Sequence, residues 1–438
     1  AHRMSPVTEG SRVILPGATI GILGGGQLGR MTGMAARHMG YDVHVLDPDP
    51  NCAARAIASR TITAPFTDAN AAAELARSCD VVTLEIEQIS RASLDAAAEF
   101  APVHPGADAV YIIQDRLRQK SWLADHGFPV GAFRAADSAA SLGAAVTELG
   151  PSIAKAVHGG YDGRGQARLA DASGATDAWE SLGARPCLVE QRIDIAVELS
   201  ALVARRVSGE HVVYAPSRNH HTNGILTWSV IPAELPGSVV SAAEQLAAAI
   251  ATALGMVGLL AVEFFLTTDG RLLVNELAPR PHNTYHHSER ACATSQFEQL
   301  VRAVCNLPLG DVRVIAPGAM VNLLGDVWLH ATPPDMEFAL GVSASRLHLY
   351  GKGEARPGRK MGHLSTVGDT AQEALSRALA CFRRLSPDSA LAAGLCGPPP
   401  LLRSADGALL AELAAVDRGD AAPWRGPADS DPDREDVG

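Results

Sequence analysis

Two carboxylates on neighbouring strand-like runs carry the sharpest chemical signal in this 438-residue chain. The stretch "VEFFLTTDGRLLVNELAPRPHN" holds two apolar runs joined at Asp269-Gly270, a dipeptide that favours a hairpin turn. If those two residues are the turn, Glu263 falls directly opposite Glu276 and both point to one side of the pair. Like charges opposed in this way destabilise a sheet unless a cation compensates them. Oxygen donors that leave room for water and phosphates suit magnesium. The alternative is an acidic face or an acid paired with an arginine, although apolar Val262, Phe264 and Val274 weaken a solvated version. Arg280, His282, Asn283, Thr284, His286 and His287 follow at once. No cysteine accompanies them and a harder cation is already indicated, which disfavours zinc.

A second cluster lies in "AKAVHGGYDGRGQARL", where Gly159, Gly160, Gly163 and Gly165 separate two runs that both read as strands. A P-loop would lead into a helix, so the pattern predicts a strand-loop-strand flap. Clustered glycines let backbone amides approach phosphate oxygens, and Lys155 and Arg164 add charge on either side. A mobile hairpin without a ligand is the other reading. Further on, "GKGEARPGRKMGH" gathers Lys352, Arg356, Arg359, Lys360 and His363, either a phosphate cradle or a surface turn. Near the start, "TIGILGGGQLGRM" places Gly24, Gly26 and Gly29 in G-x-G-x-x-G spacing, and Asp47 closes the next apolar run where a ribose-binding acid is expected. Alone, that signature points to an NAD-dependent oxidoreductase. It leaves the flap, the paired acids and the basic cluster without a purpose.

The elements that must position these residues fall into three groups. "TIGIL", "DVHVLD" and "DVVTLEIE" alternate with Ala-rich helical stretches, which predicts βαβ units on a parallel sheet over 1–107. "QDRLRQKSWLADHG" reads as a helix stopped by Gly127, and closely spaced strands then dominate, an α+β pattern over 108–306. A third part, 307–417, carries "AMVNLLGDVW", "RLHLYGK" and the helix "AQEALSRALACFRRL". The acidic, Pro- and Gly-rich stretch 418–438 is expected to be disordered. A net charge of -11 argues against nucleic-acid or anionic-membrane partners, and no apolar run has the length of a membrane span. Seven scattered cysteines without a C-x-x-C pair point away from a disulfide framework and towards the cytoplasm.

Taken in order, "ILPGATIGILGGGQLGRM", "QDRLRQK", "GGYDGRGQ", "NGIL", "VNELAPRPHN", "TSQFEQ" and "RPGRKMGH" resemble the ATP-grasp superfamily, and within it the N5-carboxyaminoimidazole ribonucleotide synthetase family of purine biosynthesis. The resemblance spans nearly everything except the two ends. It implies a Rossmann-like pre-ATP-grasp domain, a central ATP-grasp domain and a small C-terminal domain. ATP contacts are then expected at Arg116, Lys155, Gly160, Tyr161, Asp162, Gly163, Arg164, Gly165, Gln166, Glu190, Gln191, Arg192, Ile193, Glu198, His221, Asn275 and Glu276, with magnesium on Glu263 and Glu276. In this reading "CLVEQRI" is a strand edge that reads adenine, and Glu198 accepts from a ribose hydroxyl. Aminoimidazole ribonucleotide is expected to meet Glu87, Tyr161, Asp162, Arg164, Arg280, His282, Asn283, Thr284, Lys352, Arg359 and Lys360, of which Arg280, Tyr161, Asp162 and Lys352 are the catalytic set. The implied reaction is ATP- and bicarbonate-dependent carboxylation without biotin, by a homodimer, with the glycine turn at Gly24 facing the ribonucleotide. Such chemistry asks mainly for positioning and charge neutralisation. The chain departs from the family at Tyr285, where glycine is usual, and at Arg218, where an acid is common. Those departures leave open a relative that carboxylates a different amine.

Overall fold

The computed structural model describes residues 12–159, 165–329 and 333–386. Gly160, Tyr161, Asp162, Gly163 and Arg164, and the acidic tail, lie outside the described residues.

Four short strands, β1 (Thr19–Leu23), β2 (Asp42–Asp47), β3 (Arg60–Thr63) and β4 (Val81–Leu84), form a parallel sheet in the order β3-β2-β1-β4. The helix between β3 and β4 and the one after β4 start at side-chain caps. Asp68 accepts from Ala71 N and Ser90 from Ser93 N, satisfying amides that have no partner within the first turn. The helix Arg116–Asp125 leads away from this layer; Asp115 caps its start, and Gly127, at φ +73°, follows its end as predicted.

A small antiparallel sheet comes next, built from β5 (Phe133–Ala136), β6 (Ser152–Ala156), β7 (Gln166–Leu169) and β8 (Cys187–Gln191) in the order β5-β8-β6-β7. Strands β6 and β7 pair antiparallel across the glycine loop, Lys155 opposite Gln166, which is the strand-loop-strand arrangement expected. Strand β8 lies inside the sheet, contrary to the reading of "CLVEQRI" as an edge. Its backbone from Cys187 to Gln191 is committed to β5 and β6.

The largest sheet has eight strands, β9 (Ile195–Arg205), β10 (His211–Thr222), β11 (Ile225–Ile231), β12 (Gly258–Thr267), β13 (Leu272–Ala278), β14 (Gly318–Leu324), β15 (Ser345–Leu349) and β16 (Lys360–Val367). Their order is β13-β12-β9-β10-β11-β14-β16-β15, so the C-terminal strands extend the same sheet as the acid-bearing hairpin. Helix Gly237–Ala253 buries Val239, Ala243, Leu246, Ala247 and Ile250 along one stripe, against Leu199, Val203, Leu260 and Val262. On the C-terminal half, Leu375, Ala378, Leu379 and Phe382 of helix Ala371–Leu385 cover Val321, Leu323 and Leu364.

Candidate active site

The hairpin β12–β13 brings Glu263 opposite Glu276 by a different route from the one the sequence suggested. Thr267 N donates to Arg271 O at 2.9 Å, so the loop has three residues, Thr268 to Gly270, with Gly270 at φ +83°. The ladder from there runs Leu266–Leu272, Phe265–Leu273 and Phe264–Val274, one residue out of the two-residue register. A bulge at Asn275 then restores it, and Glu263 pairs with Glu276. The two irregularities cancel. Two residues, Asn275 and Glu276, therefore lie across from one, and Asn275 Nδ2 donates to Glu263 Oε2 at 3.3 Å. Burial pushes the Glu263 carboxyl above its usual range; His221 opposes that and Glu276 adds to it.

At one end of this pair lie the residues expected to meet ATP. Glu190 takes Lys155 Nζ at 2.5 Å and Lys120 Nζ at 2.8 Å, one on each carboxylate oxygen. Burial pushes Glu190 up, but the two ammonium groups outweigh it and hold the acid down at about 2. Lys120, 3% exposed, had no place among the expected site residues; a lysine in mid-helix gives no sequence signal that its tip reaches two sheets. Glu198 Oε2 lies 2.6 Å from His221 Nδ1 across β9 and β10. Burial opposes a charge on His221, yet Glu198 raises it above the ordinary value. Arg116 Nη1 donates to Ala156 O at 3.0 Å, so the helix start is tied to the flap strand. Gln191 Nε2 reaches Leu149 O, Arg192 N reaches Pro151 O, and the Ile193 side chain lies against Gly131.

At the other end, Arg280 Nε is 2.8 Å from Glu87 Oε1, an ion pair joining the segment after β13 to the first sheet's layer. His282 Nε2 is 3.5 Å from Glu263 Oε1 and its Nδ1 is 2.8 Å from Thr284 Oγ1. Burial, with Arg280 and Lys360 adding to it, pushes His282 well below its ordinary value, so it stands neutral. Asn283 is buried, and neither its side-chain oxygen nor its nitrogen has a hydrogen-bond partner among the described residues. An amide so placed is costly unless something completes it. Thr284 Oγ1 receives Ser200 Oγ at 2.9 Å, anchoring the segment to β9. Lys352 Nζ sits 5.6 Å from the Tyr350 ring centroid, Arg359 Nη1 donates to Glu354 O, and Lys360 opens β16.

Two further expectations need correcting. Tyr285 does not enter the site. It is fully buried, and its hydroxyl donates to Ser200 O at 2.8 Å and Ala215 O at 3.0 Å, beside the bulge that interrupts the β9–β10 ladder. The ring packs in the core, and its one hydroxyl proton is shared between those two carbonyls. The opening glycine turn is not an open phosphate cradle either. Gly26 N and Gly29 N donate to the two oxygens of Glu85 at 2.6 and 2.7 Å, and Gly25 N donates to Asp47 at 2.7 Å. A Cβ on Gly24 or Gly26 would lie within 2.5 Å of Glu85. The glycines thus admit an internal carboxylate where a pyrophosphate would bind, and Asp47 is spent on the turn instead of a ribose. As for the histidines, His286, His363 and His348 stack at centroid spacings of 4.4 and 4.7 Å. Polar atoms of Glu289, His348 and His363 lie within 4.8 Å of one another, but parallel rings aim their nitrogens side by side, and Arg346 adds to the burial that pushes His363 down. Such a stack suits packing better than a metal.

A parallel domain with an internally filled glycine turn, a small antiparallel sheet and a large sheet whose first two strands are the acid-bearing hairpin define a nucleotide-dependent ligase of the ATP-grasp type. Family comparisons agree: a ribonucleotide synthetase preATP-grasp domain matches residues 17–114, an ATP-grasp domain 121–297 and a phosphoribosylaminoimidazole carboxylase C-terminal domain 318–377. N5-carboxyaminoimidazole ribonucleotide synthase of Bacillus subtilis is 41% identical over 364 residues, covering 83% of this chain and 94% of the relative. The Brucella melitensis enzyme is 42% identical over 358 residues, 80% of this chain and 97% of its own. A solved N5-carboxyaminoimidazole ribonucleotide synthetase in complex with ADP superposes with a TM-score of 0.80 at 40% identity, over 85% of this chain and 98% of that one. The Aspergillus clavatus synthase, solved with ADP and 5-aminoimidazole ribonucleotide, gives 0.78 at 30% identity, over 84% and 99%. The chain belongs to the N5-carboxyaminoimidazole ribonucleotide synthase family, and it is an ATP-dependent ligase.

Proposed function

We propose that this chain carboxylates the exocyclic amine of 5-aminoimidazole ribonucleotide at the expense of ATP and bicarbonate. In this reading a bicarbonate oxygen attacks the γ-phosphorus, the bond to the bridging oxygen breaks and ADP leaves. The amine then takes the carboxyl carbon of carboxyphosphate, losing a proton as inorganic phosphate departs. The observation that carries this reading is the Glu87–Arg280 pair beside Asn283, whose amide has no partner, immediately after the strand that bears Glu276. Acceptor-type and phosphoryl-type groups share one wall.

The roles follow the chemistry of the side chains. Arg116, Lys155, the loop 160–166, Glu190 to Ile193, Glu198, His221, Asn275 and Glu276 take the nucleotide. Glu87, Arg164, Arg280, His282, Asn283, Thr284, Lys352, Arg359 and Lys360 take the ribonucleotide, and Arg280, Tyr161, Asp162 and Lys352 are assigned as the catalytic set. Lys155 stands on Glu190 and can exchange that carboxylate for a phosphate oxygen. Neutral His282 keeps Glu263 oriented without cancelling its charge. The donor set fits a hard cation, since two facing carboxylates, one of them pushed up by burial and by its neighbour, gain from sharing a dication. Magnesium bound there supplies charge neutralisation at the transferred phosphoryl group.

We read 1–107, 108–306 and 307–417 as the pre-ATP-grasp, ATP-grasp and C-terminal parts of a cytoplasmic homodimer, a state that light scattering on the eluting protein checks. The activity is tested by ADP release with bicarbonate and the ribonucleotide each omitted in turn. Release that depends on both is expected; release indifferent to the ribonucleotide overturns the assignment.

A further inference from the structure

Lys120 reaches across the molecule from the helix Arg116–Asp125. Its ammonium has three donors and meets Glu190 Oε1 at 2.8 Å, Asn275 O at 2.8 Å and Val274 O at 3.3 Å. The first belongs to β8 of the small sheet. The other two lie at the β13 bulge, where the ladder to β12 shifts and backbone groups lose their regular cross-strand partners. Val274 N is taken by Pro129 O at 2.7 Å, so this segment is held from outside the hairpin on both its donor and its acceptor sides. The bulge is also what sets both Asn275 and Glu276 across from Glu263. Without it, the two-versus-one arrangement is lost.

We infer that Lys120 is a positioning residue that fixes the β13 bulge by holding the Asn275 and Val274 carbonyls, and so ties the acid pair to Glu190 at the nucleotide end. The inference rests on the reading that Glu263 and Glu276 hold a divalent cation. Glu190 is shared between Lys120 and Lys155. When Lys155 turns to a phosphate, Lys120 is the cation that still balances Glu190. One buried ammonium thereby serves as counterion on one sheet and as backbone donor on the other.

Lys120→Met alone leaves Glu190 short of a partner, which destabilises the protein for reasons unrelated to the bulge. The informative comparison is Lys120→Met/Glu190→Gln against Glu190→Gln, in which the carboxylate charge is absent from both. Mn2+ is titrated by electron paramagnetic resonance in the presence of ADP, and hydrogen exchange is followed across 272–278. Loss of a residue that orients metal ligands weakens affinity by about 10-fold or more. We expect that weakening in the double variant, with faster exchange confined to 272–278 and a melting temperature close to that of Glu190→Gln. Lys120→Arg, which keeps the charge beside Glu190 but moves the donors off the carbonyls, is the second variant and weakens Mn2+ in the same sense. Equal Mn2+ affinity and equal exchange in the compared pair overturn the role of Lys120. If Mn2+ binding is instead indifferent to Glu276→Gln, the cation reading itself fails, and the inference built on it falls with it.

Discussion

The paired acids Glu263 and Glu276 show how little a residue's own identity says about its chemistry. Either one in isolation is a strand glutamate; together, with Asn275 donating into the pair, they form an oxygen-rich site that burial keeps electrostatically uncomfortable. Glu276→Gln retains the shape and removes one charge. ADP release should fall by about 100-fold or more, with an unchanged far-ultraviolet dichroism spectrum, and wild-type turnover in that variant would sink the metal argument. His221 offers a pH signature. Its value is raised in the folded state by Glu198, so the pair contributes stability that is fully present below about pH 6.5 and is lost as pH rises through the folded value. The stability difference between wild type and His221→Asn in urea should therefore be largest in mild acid and shrink in alkali.

Among the elements, the long strands β9 and β10 carry the consequence of Tyr285. A tyrosine in place of a small residue beside a substrate loop suggested an altered acceptor. Its ring turns away, and its hydroxyl completes Ser200 O and Ala215 O at the bulge. The departure is a core solution. Tyr285→Phe should lower unfolding free energy by about 1–3 kcal/mol, measured by chemical denaturation, while turnover stays within about 2-fold because no substrate group is touched. The glycine turn after β1 makes a related point. Its spacing was legible as strand, turn and helix, and that is what forms. What the turn holds was not legible, because Glu85 lies 56 residues beyond Gly29 and only the parallel pairing of β1 with β4 brings it there.

For the molecule as a whole, the contact that matters most is the one between Glu87 and Arg280, which closes the first layer onto the acid-bearing hairpin. Glu87→Gln should raise KM for the ribonucleotide by about 10-fold with little change in KM for ATP, whereas a general loosening of the layers would disturb both. Arg30 adds a second tie, donating to Tyr350 O from the helix after the glycine turn. The continuous eight-stranded sheet carries the basic Lys360 alongside, close enough to depress His282 and His286.

Motif order and residue type sufficed for the resemblance to the family, for the three-part architecture it implies and for the flap strands. The strands depend on local propensity and on spacing along one chain, which periodicity encodes directly. Three matters were decided only by tertiary structure: that Glu85 fills the glycine turn, that Tyr285 points into the core, and that Lys120 spans two sheets. Each depends on where a side chain ends after strands distant in sequence have paired. Even the correct register came from two offsetting irregularities, a three-residue loop and a bulge, which no count along the hairpin distinguishes from none. The sequence determined which groups were available, and long-range packing determined which of them were already bound to one another and which, like the Asn283 amide, found no partner among the described residues.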